Sequence, residues 1–473
     1  MPRAKSKQDF GVVGLAVMGQ NLALNVEEKG FSVAVYNRTV SRTTEFLAGP
    51  AKGKHILGAT SIPDFAASLK KPRRILLMVQ AGPPVDEVLQ QLRPHLEKGD
   101  ILIDGGNSYY KDTIRRQQEL ERAGLHLIGS GISGGEAGAL HGPCIMPGGP
   151  RQAYDEVEPI LARIAAQTED GPCVAYMGPG GAGHYVKMVH NGIEYGVMAC
   201  IAEVYDLLAR LLGISTPEIG RVFGQWNREE LGSYLLEITE AVLGYVDPDT
   251  RQPLVDLILD QAGQKGTGKW ASQDAFDVGV PLPTIDAAVT QRILSAFKKE
   301  RVVASELLRG PAEQPTVERD TFIGDLRDAL LGSVVTAYAQ GMTLLRWASD
   351  EYRFDLNLAE IARIWKGGCI IRAKLLDPIK DAFNDEADLV NLMVAPYFSD
   401  LLGKVQVGWR RALATAIEAG VPAMALGVSL AYLDNYRSAH LPANLTQAQR
   451  DYFGAHTYQR LDREGTFHTQ WEG

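Results

Sequence analysis

Cysteine is scarce in this sequence, and the few cysteines lie far apart. The chain of 473 residues contains four, Cys144, Cys173, Cys200 and Cys369, with no C-x-x-C pair among them. This pattern argues against a zinc site, a redox dithiol and a disulfide scaffold. We therefore predict four reduced thiols, as is typical of a cytoplasmic protein, and no metal site.

Long apolar runs are also missing, and no stretch of about 18 apolar residues could span a bilayer. The start, MPRAKSKQDFGVVGLAVMG, combines a basic end with a short apolar run, as secretory signals do. That run contains three glycines and continues into an amphipathic segment. We predict no signal peptide, a cytoplasmic location, and a solvated leader as far as Gln8.

The sequence also lacks an excess of positive charge. Lys and Arg number 48 against 57 Asp and Glu, which gives a net charge of -9. Such a chain has no broad basic field for nucleic acid, so an anionic ligand would need local cation clusters or helix ends. We expect neither a nucleic-acid nor a membrane partner.

Short β-branched runs alternate with amphipathic stretches from residue 10 to about residue 178. This alternation is typical of a parallel sheet covered by helices. Helical patterns occur at residues 86–96 and 154–165. The predicted strands are residues 11–14, 32–36, 74–79, 101–104, 125–128, 144–146 and 174–177.

Helical periodicity replaces the strand pattern after residue 183 and continues to about residue 437. Two similar segments, PEIGRVFGQWN from Pro217 and AEIARIWKGG from Ala359, indicate a weak internal duplication. We predict an α/β domain (1–180), a large all-α domain (181–437) and a C-terminal tail (438–473). The tail is polar but carries five aromatic residues, which favours packing on a surface over disorder: Tyr452, Phe453, Tyr458, Phe467 and Trp471.

The segment GLAVMG, residues 14–19, follows the first predicted strand and opens a helix. This context is the one that a dinucleotide-binding fingerprint requires. Gly14 permits the tight turn, Ala16 still allows close approach of a pyrophosphate, and Gly19 allows the helix to pack on the strand. The segment predicts a Rossmann-type domain.

The second strand ends in Asn37-Arg38-Thr39, without a carboxylate. An acidic residue there would bind the ribose hydroxyl of NAD, whereas Arg38 can bind the 2′-phosphate of NADP. The two features together favour NADP. The alternative is a glycine-rich turn beside a surface arginine.

Four polar residues, Lys187, His190, Asn191 and Glu194, share one face of a helix. The flanking positions are apolar: Val186, Met188, Val189, Ile193 and Val197. Such a helix is predicted to be buried, so its polar groups need partners or a ligand. A desolvated lysine can act as a base and a nearby glutamate as an acid. The alternative is a solvated stripe with a helical Lys–Glu pair.

These motifs, taken with others along nearly the whole chain, resemble the family of decarboxylating 6-phosphogluconate dehydrogenases. The seven segments in family order are GLAVMG, NRT, DGGNSYY, GISGGEAGALHGPCIMPGG, VKMVHNGIEY, QKGTGKW and RDYFGAHTY. The resemblance implies oxidation of 6-phosphogluconate by NADP to ribulose 5-phosphate, carbon dioxide and NADPH. This reaction is metal-independent and belongs to the oxidative pentose phosphate pathway.

The resemblance also implies roles for individual residues. Lys187 would take the C3 hydroxyl proton, and Glu194 would protonate C1 of the enediol. The sugar acid would be bound by Asn107, Ser133, Gly134, Gly135, His190, Asn191 and Tyr195, and its phosphate by Lys265, Thr267, Arg292, Arg450 and His456. The cofactor would contact Gly14, Leu15, Ala16, Val17, Met18, Gly19, Asn37, Arg38, Thr39, Val79, Gln80, Ala81 and Asn107.

In the family the tail enters the active site of the neighbouring subunit, so the resemblance implies a homodimer with shared sites. One position departs from the family pattern, because Gln80 stands where many members have a lysine near the cofactor. This weakens the expected support for the 2′-phosphate.

Two other functions remain open from the sequence. A non-decarboxylating 3-hydroxyacid dehydrogenase of the same superfamily would share the fingerprint and the lysine, but should be much shorter. An NADP-binding regulator without turnover would keep the fold, although Lys187 and Glu194 argue against it.

Overall fold

A computed structural model of the chain describes residues 7–264, 266–312 and 314–471. It contains an α/β domain followed by a large helical region and a tail, which confirms the predicted fold class. Within the described residues, no helix combines the length and the hydropathy that a membrane crossing needs.

A seven-stranded sheet forms the centre of the first domain, in the order β3-β2-β1-β4-β5-β6-β7. The first six strands are parallel, and β7 is antiparallel to β6. The inner strands are short runs of buried apolar residues, as expected for a sheet covered on both faces. The strands are β1 (Phe10–Val13), β2 (Val33–Tyr36), β3 (Ile56–Ala59), β4 (Arg74–Leu77), β5 (Ile101–Asp104), β6 (His126–Ser133) and β7 (Cys144–Gly148).

Helices cover both faces of this sheet, and a two-stranded hairpin of β8 (Gln167–Thr168) and β9 (Gly171–Pro172) follows them. The predicted helical patterns correspond to α4 and α7. The helices are α1 (Val17–Glu28), α2 (Val40–Ala48), α3 (Ile62–Ala67), α4 (Pro83–Leu92), α5 (Tyr110–Glu121), α6 (Gly135–His141) and α7 (Arg151–Ile164).

Three details of the predicted sheet are wrong. Strand β3, an edge strand that is only partly buried and contains Gly58, was not predicted. The predicted strand at residues 174–177 forms only an isolated bridge between Val174 and Ile145. Arg363 donates to the carbonyl oxygen of Val174 at 3.3 Å, and the Met177 N–H donates to Pro147 of β7 at 2.8 Å. Strand β7 is antiparallel, so the sheet is not wholly parallel.

Two long helices form the middle of the second region and are buried along most of their length. They share one apolar core with most of the shorter helices around them. The helices are α8 (Ala182–Leu212), α9 (Thr216–Trp226), α10 (Tyr234–Gly244), α11 (Thr267–Val278), α12 (Pro283–Ser295), α13 (Lys298–Leu307), α14 (Arg319–Tyr352), α15 (Leu358–Trp365), α16 (Leu376–Asp385), α17 (Pro396–Ala419) and α18 (Met424–Tyr436).

The tail forms a structure of its own around Asp451. Helix α19 (Ala443–Gly454) is followed by a bridge between Tyr458 and Phe467. The Asp451 carboxylate accepts from the Trp471 indole at 2.8 Å and lies 2.9 Å from Nδ1 of His468. Three of the predicted tail aromatics, Tyr458, Phe467 and Trp471, therefore pack within the tail itself.

The predicted solvated leader is wrong at its last residue. Gln8 is buried, and its backbone N–H donates to the carbonyl oxygen of Ser68 at 2.7 Å. Lys7 is exposed, as predicted. The preceding residues, 1–6, lie outside the described part of the chain.

Candidate active site

The turn between β1 and α1 has the geometry of a nucleotide-binding loop. Gly14 has a φ of +97°, and a Cβ there would collide with the carbonyl oxygen of Met78. A Cβ on Gly19 would in turn collide with the carbonyl oxygen of Gly14. The first backbone N–H groups of a helix lack partners within it, so the start of α1 after Ala16 can bind an anion.

The end of β2 contributes the predicted Arg38. Its side chain is 87% exposed, and its nearest carboxylate is that of Glu87 at 4.0 Å. Asn37 ties this segment to the turn, because its Oδ1 accepts from the Leu15 N–H at 3.0 Å and its Nδ2 donates to Thr39 O at 3.0 Å. A tight turn, free amides and an exposed arginine fit a dinucleotide that carries a 2′-phosphate.

Other predicted cofactor residues lie at the same edge of the sheet. Val79, Gln80 and Ala81 follow β4, and Asn107 follows β5. The side chains of Gln80 and Asn107 are exposed. Ligands of open α/β sheets bind at this carboxyl edge, where the four strand ends converge.

A buried carboxylate, Asp104 at the end of β5, holds the loop that carries Asn107. It accepts from the Gly106 N–H at 3.1 Å and from the Ser108 hydroxyl at 2.6 Å. Its own carbonyl oxygen lies 3.1 Å from Nε2 of His184. The loop is therefore fixed on one side to the strand and on the other to α8.

Helix α8 packs directly on β6 because glycines leave room for it. A Cβ on Gly131 would collide with Cβ of Lys187, and one on Gly183 would collide with the carbonyl oxygen of Gly129. The helix consequently runs along β6 until His190 reaches Ser133 at the end of the strand. This contact brings the polar stripe of α8 to the carboxyl edge of the sheet.

The stripe forms a compact cluster around His190, which is fully buried. Its Nε2 lies 3.2 Å from the Ser133 hydroxyl, and its Nδ1 lies 3.1 Å from Oδ1 of Asn191 and 3.4 Å from Nζ of Lys187. A carboxylate oxygen of Glu194 is 3.8 Å from the same Nδ1. A neutral ring satisfies two neighbours if Nδ1–H donates to Asn191 and Nε2 accepts from Ser133.

Burial shifts the pKa values of the three titratable groups toward their neutral forms. It lowers the pKa of Lys187, although the nearby Glu194 opposes this shift. It raises the pKa of Glu194, against the opposing effects of Lys187 and Arg292. The pKa of His190 falls well below its ordinary value because of burial and the neighbouring Lys187. The arrangement can take up a proton at Lys187 and release one at Glu194.

Tyr195 and Arg292 extend this cluster toward the predicted phosphate site. The guanidinium carbon of Arg292 lies 3.4 Å from the centre of the Tyr195 ring. Thr267 is the buried first residue of α11, and its neighbour Gly268 lies against the Tyr195 ring. Lys265, another predicted phosphate ligand, lies outside the described residues.

Two further predicted residues, Gly134 and Gly135, both have positive φ, at 120° and 61°. A side chain on Gly134 would meet the carbonyl oxygen of Gly368 at 2.5 Å. These glycines join β6 to α6 immediately after Ser133. Their backbone can therefore lie close to a ligand at the cluster.

The predicted tail residues are not part of this cluster in the single chain. Arg450 is exposed and donates to Gln447 at 3.0 Å. His456 is exposed, with its ring 5.9 Å from that of Phe453. Both of these contacts are local to the tail.

The residues that hold the site together were not predicted from the sequence. Asp104 was present in the DGGNSYY motif, but no role was predicted for it. His184 and Asp274 were not singled out, and their partners are distant in sequence. Across residues 7–264, 266–312 and 314–471, no group of three or more His, Cys, Asp or Glu side chains is arranged to hold a metal ion.

Two family models match the chain. Residues 9–178 match the NAD binding domain of 6-phosphogluconate dehydrogenase, and residues 183–471 match the 6-phosphogluconate dehydrogenase C-terminal domain. Together these matches extend over both the sheet domain and the helical region with its tail.

Curated relatives agree over nearly the full length. A decarboxylating 6-phosphogluconate dehydrogenase of Synechococcus elongatus is 57% identical over 98% of this chain and 99% of its own. An NADP(+)-dependent, decarboxylating 6-phosphogluconate dehydrogenase of Bacillus subtilis is 56% identical, with the same coverage. A solved structure of the Plasmodium falciparum 6-phosphogluconate dehydrogenase superposes with a TM-score of 0.94 at 45% identity, covering 98% of this chain and 100% of that one.

Proposed function

Because the chain belongs to the 6-phosphogluconate dehydrogenase family, we propose that it oxidises 6-phosphogluconate with NADP and yields ribulose 5-phosphate, carbon dioxide and NADPH. The observation that carries this proposal is the buried cluster of Lys187, His190, Asn191 and Glu194 on α8, beside the nucleotide-binding edge. Relatives more than 50% identical over nearly the whole chain have this activity in their names.

Lys187 acts as the base of the first step. Its neutral amine takes the C3 hydroxyl proton, and the C3–H bond breaks to give a 3-keto acid. NADP, when bound at the Gly14–Gly19 turn and Arg38, supplies the hydride acceptor. The Lys187 ammonium that results polarises the new carbonyl, so that the carboxylate leaves as carbon dioxide.

Glu194 acts as the acid of the last step. Loss of carbon dioxide leaves an enolate, which takes the proton of the Lys187 ammonium and becomes an enediol. Glu194 then gives its proton to C1 of that enediol, while Lys187 takes back the proton of the C2 hydroxyl and leaves the ketone. A raised pKa favours this role because the carboxyl group keeps its proton closer to neutral pH. His190, neutral and bonded to Ser133, orients substrate oxygens without competing for the protons.

The remaining predicted residues divide between the two ends of the substrate. Its phosphate end requires cations, which offset the acidic overall charge of the chain. The sugar acid is bound by Asn107, Ser133, Gly134, Gly135, His190, Asn191 and Tyr195, and the phosphate by Lys265, Thr267, Arg292, Arg450 and His456.

The protein is also proposed to be a homodimer in which each tail reaches the active site of the partner. Helix α13 has no buried residue in the single chain, and Val303, Leu307 and Leu308 on or just after it are more than half exposed. An exposed apolar face of this kind is typical of a subunit interface. The exposed Arg450 and His456 are then free to meet the substrate of the other subunit.

We propose that the chain has three parts, at residues 1–180, 181–437 and 438–473. The protein is proposed to be cytoplasmic. An internal duplication in the middle part is supported by the order of its helices. Long α8 and α14 are each followed by a short helix with one of the two similar segments, α9 and α15. After α9 and α15, the two halves pair with each other through a β-bridge between Ser233 and Ala373.

Absorbance at the reduced-nicotinamide band tests the activity, with 6-phosphogluconate and either NADP or NAD, while released carbon dioxide is trapped. Equal amounts of NADPH and carbon dioxide, with NAD much poorer, are expected. Reduction without carbon dioxide would indicate a simple hydroxyacid dehydrogenase. Tight NADPH binding without reduction by any sugar acid would favour a regulator.

Deletion of the residues after Ser438 tests the proposed role of the tail. The mass of the assembly in solution is measured by sedimentation. Loss of activity and weaker dimers are expected, since Arg450 and His456 are removed together with the tail contacts. A fully active truncated monomer would contradict the shared site.

A further inference from the structure

Asp274, on α11, is buried beneath three tyrosines that come from three different helices. Its Oδ1 accepts from the Tyr110 hydroxyl at 2.5 Å and from the Tyr352 hydroxyl at 3.0 Å, and its Oδ2 accepts from the Tyr185 hydroxyl at 2.6 Å. The Asp274 side chain is fully buried, whereas its nearest cation, Lys111 at 3.9 Å, is half exposed. A buried phenol without an acceptor is costly, so this carboxylate satisfies three groups at once.

The three tyrosines belong to the elements that carry the proposed site. Tyr110 begins α5, directly after the loop with Asn107. Tyr185 lies on α8, two residues before Lys187. Tyr352 is the last residue of α14, against which α8 packs. A single carboxylate therefore connects the sheet domain with the helix of the proposed base.

Helix α11, which carries Asp274, is the fourth element that this carboxylate connects. It begins at Thr267, about 10 Å along the helix axis from Asp274 at 1.5 Å per residue. Two more contacts fix this end of the helix, since Gly268 lies against the Tyr195 ring and the Trp270 ring is 5.1 Å from that of Tyr109. Any shift of Asp274 would move the start of α11 relative to α8.

The three tyrosine hydroxyls do not readily ionise, so they keep the protons that they donate to Asp274. Burial first, and then the Asp274 hydrogen bonds, raise the pKa of both Tyr110 and Tyr185 far above the ordinary value. Tyr352, which is less buried, has its pKa raised to about 12. All three hydroxyls therefore remain donors at neutral pH, and each needs an acceptor.

We infer that Asp274 is a positioning residue, which holds the Asn107 loop and the start of α11 in register with Lys187 for substrate binding and hydride transfer. This inference rests on the proposed roles of Lys187, Asn107 and Thr267. Asp274 acts through these groups, because its carboxylate is enclosed by the tyrosines. Displacement of a positioned group by about 1 Å can cost about 100-fold in rate, so the effect should be measurable.

Asp274→Asn is the most informative variant, because it keeps the size of the side chain but offers one acceptor oxygen instead of two. We expect kcat/KM for 6-phosphogluconate to fall by about 10-fold or more, with a larger primary isotope effect from substrate deuterated at C3. NADPH affinity should fall by less than kcat/KM, since only Asn107 among the proposed cofactor contacts lies on the loop that Asp274 holds, whereas the nucleotide turn is elsewhere. Tyr352→Phe, which removes one donor and leaves the carboxylate, should change kcat/KM by less than about three-fold.

Asp325→Asn is the matched control for loss of a buried carboxylate. Asp325 lies on α14, is 5% exposed, and is paired with Arg411 at 2.5 Å, away from the cluster on α8. Asp325→Asn should lower the melting temperature without changing kcat/KM or the isotope effect. Kinetics of Asp274→Asn that match those of Asp325→Asn, or an equal loss of NADPH affinity, would overturn the positioning role.

The unmutated enzyme, assayed in parallel, separates this inference from the proposed function. Absence of turnover by the unmutated enzyme would refute the function itself. Turnover by it, together with an unaffected Asp274→Asn variant, would refute only the positioning role.

Discussion

The two long central helices, α8 and α14, are alike in length and burial but differ in how their polar groups are satisfied. On α14, the Gln340 amide exchanges two hydrogen bonds with Thr284, at 3.1 Å to its N–H and 2.9 Å to its hydroxyl. The Thr336 hydroxyl donates to the backbone of the same helix at 2.8 Å. These groups have the partners that buried polar atoms require, and they serve the packing of the fold.

On α8, the four polar groups of the stripe, Lys187, His190, Asn191 and Glu194, contact mainly one another. The ammonium of Lys187 is 3.4 Å from His190, and the carboxylate of Glu194 is 3.8 Å from the same ring. Neither distance is that of a strong charge-assisted hydrogen bond. Burial of polar groups is therefore not sufficient to define a site, whereas burial that shifts the pKa values of several neighbouring groups is typical of one.

The largest expected difference between the two helices is the effect of removing Lys187. Lys187→Ala should lower kcat by about 10³-fold or more, because neither hydride transfer nor decarboxylation proceeds without the base. NADPH formation and released carbon dioxide should fall together, while the melting temperature stays close to that of the unmutated protein. Full oxidation activity in this variant would refute the assignment.

Glu194→Gln should have a smaller and later effect. The amide cannot donate the proton that the enediol needs, so steady-state turnover should fall by about 100-fold. Hydride transfer in a single turnover, followed by nicotinamide absorbance, should remain near the unmutated rate. If that first step were slowed as much as in Lys187→Ala, Glu194 would not be confined to the last proton transfer.

Gln340→Leu on α14 should have the smallest effect on activity and a clear effect on stability. The change leaves the Thr284 N–H without its partner in the core, which costs about 1 to 3 kcal/mol in the free energy of unfolding. Thermal melting and kcat/KM should be measured together. A loss of kcat/KM comparable with that of Lys187→Ala would mean that α14 takes part in the chemistry.

Much of the fold followed from short-range patterns in the sequence. The inner strands are buried on both faces, so β1, β2, β4 and β5 were evident as apolar runs. Edge strand β3 was not, since three of its four residues remain partly exposed. The false strand at residues 174–177 has the composition of a strand, but it forms only one bridge to β7, and a distant residue, Arg363, binds the carbonyl oxygen of Val174.

The site was predictable where a single helix or turn carries it. Helical spacing placed Lys187, His190, Asn191 and Glu194 on one face, and the family resemblance was confirmed by the relatives and the family models. The supporting residues were not predictable, because their partners are remote. Tyr110 and Asp274, for example, are 164 positions apart. The roles of the individual site residues remain predictions.

The pH dependence of kcat for 6-phosphogluconate oxidation, from about pH 5 to about pH 10, tests the central claim most directly. Lys187 must lose its proton, and burial lowers its pKa from 10.5, so activity should be lost on the acid side of a maximum near neutrality. Glu194 must keep its proton, and burial raises its pKa from 4.5, so activity should be lost on the alkaline side as this carboxyl ionises. Glu194→Gln should retain the acid limb and lose the alkaline one. Activity that still rises at about pH 10, or an unchanged alkaline limb in Glu194→Gln, would contradict the proposed acid–base pair.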